Sequence, residues 1–150
     1  MMKDMEIAKK IFRFKIVIND ILPQIWRLVE VESDITFYQF HRILQEAMGW
    51  TNSHLHEFSL DGFHVGDTSA KANEFGDRPQ WEEREKKIEE YFSKDRTRIN
   101  YIYDFGDNWE HAIMLEAIDN KRKSIKYPRC IDGARACPPD LIPNTKNMKT

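Results

Sequence analysis

The stretch IFRFKIVINDILPQIWRLVEV at residues 11–31 decides the fold class of this chain. In its first part, strongly apolar side chains stand at every second position: Phe12, Phe14, Ile16 and Ile18. A period of two is typical of a strand with one buried face, so the pattern predicts a strand over 11–18. The run IWRLVEV at 25–31 has the β-branched and aromatic content of a partner strand, and the loop at 19–23 fits a hairpin.

A helix is predicted directly after this hairpin. Thr36 and Gln39 have the spacing of a capping box, and Ile35 and Phe40 occupy the positions of a hydrophobic staple. Gly49 stands where a C-terminal cap belongs. Between these signals the apolar residues recur at helical spacing, which predicts a helix packed on the sheet: Phe37, Phe40, Ile43, Leu44, Ala47 and Met48.

Two further units follow. Alternation at 54–60 and the turn dipeptide Asp61-Gly62 before Phe63-His64-Val65 predict a second hairpin that is shorter on its return side. The stretch at 66–79 has the Gly, Asp, Ser, Asn and Pro content of a surface loop. The segment WEEREKKIEEYF at 81–92 is amphipathic, and we interpret it as a second helix whose charged face is in solvent.

A third hairpin is expected from strands at 99–105 and 109–117, joined by a three-residue loop. That register pairs Phe105 with Trp109, Tyr103 with His111 and Tyr101 with Ile113, and it places Asp104 opposite Glu110. Beyond Lys121, prolines and a glycine exclude a long helix or a central strand.

The predicted fold class is therefore α+β, with a largely antiparallel sheet built from hairpins and two helices packed on one face. We expect a single domain over 1–150, with its core at 11–139 and a tail at 140–150. The composition is 41% hydrophobic and 32% charged, which is globular.

Charge and hydropathy exclude two classes of protein. No stretch approaches the roughly 20 apolar residues that cross a bilayer, and the N-terminus has no apolar signal core, so we expect a cytoplasmic protein. A net charge of −2 gives no global attraction to nucleic acid, so non-specific binding to it is not expected. Binding through a local basic patch is the alternative. With no sign of export, a disulfide between Cys130 and Cys137 is not expected.

Three segments resemble those of a known family. They are GWTNSHLHEFSL at 49–60, YDFGDNWEHAI at 103–113 and YPRCIDGARACPP at 127–139, and the opening FKIVINDILPQIWRLVEV at 14–31 is similar too. Together they resemble the root-inducing plasmid ORF-three-like family, which has no established activity. Some members are labelled as transposon resolvases and others are fused to DNA-binding domains, so the resemblance implies a link to mobile-element or DNA machinery.

The resolvase label fails a chemical test on this chain. A serine resolvase needs a nucleophilic serine among several arginines, and no serine here has that setting. After Pro139 the chain also departs from the family, whose members usually continue through an acidic pair, glycines and a further helix. Residues 140–150 therefore read as a tail, and a truncated chain or an altered reading frame is the open alternative.

The histidines and cysteines are candidate metal ligands. His54 and His56 share a strand face, and with His111, Cys130 and Cys137 they offer the imidazole and thiolate ligands that zinc prefers. The structural alternative is that each histidine is partly buried and bonded to a carbonyl or carboxylate. A His-x-His pair alone does not decide between a divalent metal site and this alternative.

A second candidate cluster is acidic. In the expected register Asp104 faces Glu110 with Asp107 in the loop, so a hard cation such as magnesium could be held there for hydrolysis. The simpler interpretation is that Asp104 and Asp107 cap a tight turn and Glu110 points to water.

The third candidate is an interaction surface. Arg129 and Arg135 lie in a locally basic stretch, and with Trp109 and Tyr127 they could contact a protein or nucleic-acid partner. The first functional hypothesis is thus a non-catalytic binding or interaction module. The alternative is a metal-dependent hydrolase or nuclease that uses the histidines and aspartates, whose side chains should converge in one cleft.

Overall fold

A computed structural model of the chain describes residues 9–69, 80–104 and 107–134. Its strands form one sheet in the order β5-β4-β3-β6-β7-β1-β2-β8. The elements are β1 (Lys10–Ile18), β2 (Trp26–Glu32), α1 (Phe37–Met48), β3 (His56–Leu60), β4 (Phe63–Gly66), β5 (Trp81–Glu82), a 3-10 helix (Ile88–Glu90), β6 (Arg98–Tyr103), β7 (Trp109–Asn120) and β8 (Arg129–Ala134).

Strand β1 forms where the alternating apolar pattern predicted it, and it is an interior strand of the sheet. It lies antiparallel between β2 and β7, so that Phe14 faces Val29 on one side and Leu115 on the other. Phe14 is fully buried. The antiparallel pairing of β1 with β2 confirms the first hairpin. Burial of the apolar side chains of β1 removes them from water.

Helix α1 covers this face and has the ends that the sequence predicted. Thr36 and Gln39 form a reciprocal capping box, and Gly49 closes the helix at φ 80°. The rings of Phe40 and Phe14 pack with centroids 4.9 Å apart. Among residues 9–69, 80–104 and 107–134, no helix is long and apolar enough to cross a membrane.

The predicted second helix is wrong, and with it the α+β class with two helices. Within the described residues the architecture is a mixed eight-stranded sheet with a single α-helix. Trp81–Glu82 instead forms β5, which runs parallel to β4. The first two N–H groups of α1, at Phe37 and Tyr38, donate to carbonyls of the 81–92 segment at 2.9 and 3.0 Å. The first N–H groups of a helix have no carbonyl acceptor within the helix. The 81–92 segment supplies two of these acceptors to α1, and this requirement outweighs the helical propensity of its charged residues.

The third hairpin forms, but its predicted register is wrong by two residues. Tyr103 pairs with Trp109 and Tyr101 with His111. The connection therefore spans 104–108, and Asp104 and Asn108 at its ends both adopt left-handed backbone conformations, with φ of 64° and 58°. A two-residue shift keeps the same side chains on the buried face, so hydrophobicity alone could not distinguish the two registers.

Candidate functional site

A small cavity opens where α1, the segment that follows it, β3 and the turn after β5 meet. Its volume is about 210 Å³, and its lining includes the polar side chains of Tyr38, His41, Asn52, His56 and Glu83. Ligand pockets are typically about 300–1,000 Å³, so this one suits a small molecule. We call it the histidine pocket.

A short contact in the histidine pocket joins His56 to a buried carboxylate. His56 Nε2 lies 2.7 Å from Glu83 Oε1, and Glu83 is only 1% exposed. A carboxylate only accepts hydrogen bonds, so His56 Nε2 carries the proton and donates. His56 Nδ1 has no hydrogen-bond partner among residues that the structure describes. One nitrogen of His56 is thus fixed, while the other stays free for a ligand.

A buried chain of hydrogen bonds fixes the orientation of Asn52. The Asn52 backbone N–H donates to Gln45 Oε1 at 2.7 Å, so Gln45 must use its Nε2 to donate to the Tyr101 hydroxyl at 2.9 Å. Tyr101 then donates to His41 Nδ1 at 2.6 Å, and His41 Nε2 donates to Asn52 Oδ1 at 2.7 Å. Burial, with a smaller effect of the nearby His56, lowers the pKa of His41 to about 3, so the ring is neutral.

Local backbone geometry brings Asn52 and His56 to the same place. Helix α1 ends at Gly49, and the next residue, Trp50, is buried in the core. Asn52 then takes a left-handed conformation with φ 58° before β3 begins. Asparagine tolerates this conformation better than most residues. The amide Nδ2 of Asn52 has no partner within 9–69, 80–104 and 107–134, so it also remains free to donate.

The charge of the histidine pocket is mainly negative. Glu57, Asp67 and Glu83 contribute three carboxylates, and Arg84 one guanidinium. Burial raises the pKa of Glu57, and the backbone N–H of Ser69 lowers that of Asp67. Arg84 lies over the Tyr38 ring, 4.1 Å from its centroid, and 3.9 Å from Glu83.

Of the predicted ligands, the structure brings His54 and His56 into the histidine pocket. It places His111 elsewhere, fully buried, where Nε2 accepts from Trp50 Nε1 and Nδ1 lies 3.2 Å from the Tyr101 carbonyl oxygen. Burial lowers the pKa of His111 to about 4. Both ring nitrogens of His111 are used in hydrogen bonds within the core.

The acidic cluster does not form as expected, because Glu110 faces Ile102 and not Asp104. Asp104 Oδ1 accepts from the Asp107 N–H at 3.3 Å, and Asp104 Oδ2 lies 3.8 Å from His54 Nε2. In the part of the chain that is described, no three His, Cys, Asp or Glu residues are arranged to hold a metal ion.

The predicted interaction surface is divided. Trp109 is fully buried, so its expected place on an exposed surface is wrong: it lies beside Trp50 in the core. Tyr127, Arg129 and Cys130 lie at the surface near β8, where Arg129 donates to Glu30. The two remaining candidates, Arg135 and Cys137, lie outside the described residues.

Several pocket residues were missed from the sequence: His41, Asn52, Glu83 and Arg84. His41 sits among apolar helix positions, and a buried histidine at that spacing was the available signal. Glu83 gave no signal, because the segment around it was interpreted as a solvated helix face.

Comparison with known proteins gives a consistent result. A model of the plasmid pRiA4b ORF-3-like protein family matches residues 10–146. The uncharacterized protein y4hQ of Sinorhizobium fredii (strain NBRC 101917 / NGR234) is 33% identical over 134 residues, covering 88% of this chain and 66% of the relative, slightly less than two thirds. The crystal structure of a protein of unknown function, MM3350, from Methanosarcina mazei Go1 superposes with a TM-score of 0.80 at 33% identity, covering 89% of this chain and 74% of the other.

Proposed function

The chain belongs to the plasmid pRiA4b ORF-3-like family, and we propose that it is a binding module that holds a small polar ligand in the histidine pocket. One observation carries the proposal. His56 and Asn52 line the same cavity, and neither His56 Nδ1 nor Asn52 Nδ2 has a partner in the described part of the chain, although the groups around them are paired. Polar atoms near a buried network are normally satisfied, so free ones in a cavity indicate where a ligand binds.

The metal-dependent alternative has less support from the geometry. His54 and His56 share the pocket, but His56 Nε2 is already committed to Glu83, and no third ligand converges on them among the described residues. A structural zinc site takes four protein ligands and a catalytic one takes three. A contribution to mobile-element or DNA machinery rests on the family resemblance alone.

Amide NMR of the chain tests the proposal. We expect N-acetylglycinamide, titrated to about 10 mM, to shift the Asn52, Leu55 and His56 signals saturably, while inorganic phosphate has a weaker effect because the pocket is mainly negative. His56→Ala should abolish the shifts. Arg98→Ala, which changes a separate groove at Ser59 and Asn100, should leave them intact.

Two outcomes would overturn this assignment. One is that N-acetylglycinamide, phosphate and ethylammonium all leave the pocket signals unmoved. The other is that the shifts survive His56→Ala or move to the Arg98 groove.

A further inference from the structure

We propose that His56 and Asn52 hydrolyse a neutral acyl compound, with His56 as the proton acceptor and Asn52 as the donor to the carbonyl oxygen. This inference rests on the proposed function, since the compound must first bind in the histidine pocket. It goes further by giving the two free polar atoms opposite chemical tasks. The general requirement is a base and an oxyanion donor that are both oriented before the substrate arrives.

Glu83 makes His56 a directed base. Because buried Glu83 accepts from Nε2, a neutral His56 ring must present Nδ1 as its lone-pair nitrogen. When Nδ1 takes a proton, the positive charge forms 2.7 Å from a carboxylate that is already in place. A carboxylate behind a histidine stabilises the imidazolium and holds the ring in the correct tautomer in the same way.

His41 limits the motion of His56 and orients Asn52. Its ring is stacked on that of His56, with centroids 3.4 Å apart and an interplanar angle of 9°. The same His41 donates from Nε2 to Asn52 Oδ1, so the Asn52 amide cannot rotate without leaving that proton unpartnered. The two N–H bonds of Asn52 Nδ2 are therefore the free ones, and they can donate to an oxygen that becomes negative.

The charges of the pocket select the substrate class. Glu57, Asp67 and Glu83 outnumber Arg84, so a phosphate ester would meet net repulsion. A neutral ester or amide carries no such penalty, and the volume of about 210 Å³ accommodates a small acyl group.

The step conserves atoms and electrons. His56 Nδ1 takes one proton from a water molecule, and the water oxygen forms a bond to the carbonyl carbon. The carbonyl oxygen becomes an oxyanion, to which Asn52 Nδ2 donates. As the oxyanion collapses, the bond to the leaving oxygen or nitrogen breaks, and that atom receives the proton from His56. The products are a carboxylic acid and an alcohol or amine.

Hydrolysis of p-nitrophenyl acetate by the full chain tests the inference. General-base catalysis contributes roughly 100-fold or more, so His56→Gln should lower kcat by about that factor. Asn52→Asp keeps the acceptor for His41 and removes the donor, and it should lower kcat by at least about tenfold. For the native chain kcat should be lower in D₂O than in H₂O, because His56 takes a proton from water in the proposed step.

Controls separate catalysis from folding and from surface chemistry. Glu83 is a positioning residue, so Glu83→Gln should lower kcat with little change in KM, and Glu83→Asp should restore part of kcat. His64→Gln changes a half-exposed histidine on β4 and reports non-specific cleavage by imidazole. Circular dichroism of each variant confirms that it is folded.

The outcomes distinguish the two proposals. If N-acetylglycinamide binds but His56→Gln cleaves the ester as fast as the native chain, this inference is overturned and the binding function stands. If neither binding nor cleavage depends on His56, both are overturned.

Discussion

The imidazole rings of His41 and His56 lie face to face, with centroids 3.4 Å apart and 9° between their planes. They differ in their partners. His41 uses both nitrogens, for the Tyr101 hydroxyl and Asn52, whereas His56 uses only Nε2 in its contacts with the described residues. The same residue type therefore has two roles: His41 is a neutral member of the buried network, and His56 lines the cavity with one nitrogen that has no partner among the described residues.

The buried histidines predict how stability depends on pH. In the folded chain burial lowers the pKa of His41 to about 3 and that of His111 to about 4, whereas an unfolded histidine titrates near 6.5. Below pH 6.5 the unfolded chain therefore binds more protons, so the free energy of unfolding must fall as the pH falls. We expect each histidine to remove about 2 kcal/mol between pH 7 and 5, measured by urea unfolding.

His41→Gln and His111→Gln provide the control for this prediction. Each should remove about half of the loss, because each deletes one group that the fold keeps neutral. Glu57 acts in the opposite direction, since burial raises its pKa and protonation then favours the fold. A pH dependence that is identical in the native chain and both variants would refute the assignment.

Tyr101→Phe tests the buried network directly. The lost hydroxyl accepts from Gln45 and donates to His41, so two buried polar atoms would lose their partner. Each unsatisfied group costs about 1–3 kcal/mol, and we expect a destabilisation of about 2–4 kcal/mol in urea unfolding. Tyr91→Phe is the matched control, because no hydrogen bond of the Tyr91 hydroxyl occurs among the described residues, and it should cost less than about 0.5 kcal/mol. Equal costs for the two variants would contradict the network.

Local signals explain what the sequence predicted well. The β1–β2 hairpin, the capping box at Thr36 and the turn at Asp61-Gly62 all depend on residues close in the chain, and all three are present. Each side chain there favours the same local structure that the fold uses, so pattern and structure agree.

Non-local contacts explain what it missed. The 81–92 segment has helix-forming residues, but its carbonyls are needed by the N–H groups of α1, and that demand is invisible in the segment itself. Glu83 was missed with it, because its contact with His56 of β3 is distant in sequence and cannot be seen within the 81–92 segment. Of the hydrogen-bonded pair His56 and Glu83, the sequence analysis therefore predicted His56 as a site residue and missed Glu83.

Gly49→Ala tests the end of α1. Gly49 has φ 80°, and no heavy atom lies within 4 Å of the place that a Cβ would take. The cost is therefore conformational and not steric, and we expect about 1 kcal/mol of destabilisation in thermal or urea unfolding. Gly49→Asn should cost less than alanine, since asparagine tolerates the left-handed region. A larger cost for asparagine than for alanine would mean that space, not φ, decides this position.

Glu30 links the edge strand β8 to the interior strand β1 and gives the last prediction. Its buried carboxylate accepts from Arg13 at 3.2 Å on β1 and from Arg129 at 2.8 Å on β8. Burial would raise the pKa of Glu30, but these arginines outweigh it and lower the pKa, so the contribution to stability is present above pH 4.5 and lost in acid.

Glu30→Gln should cost about 1–3 kcal/mol at pH 7, a range discounted because both arginines are partly exposed. Amide hydrogen exchange in β8 should accelerate more than in β6, since Arg129 loses its charged partner while the β6–β7 pairing is untouched. If instead Glu30→Gln and Arg129→Ala destabilise additively in a double-mutant cycle, Glu30 does not hold β8 through Arg129, and the backbone pairing with β2 alone retains the strand.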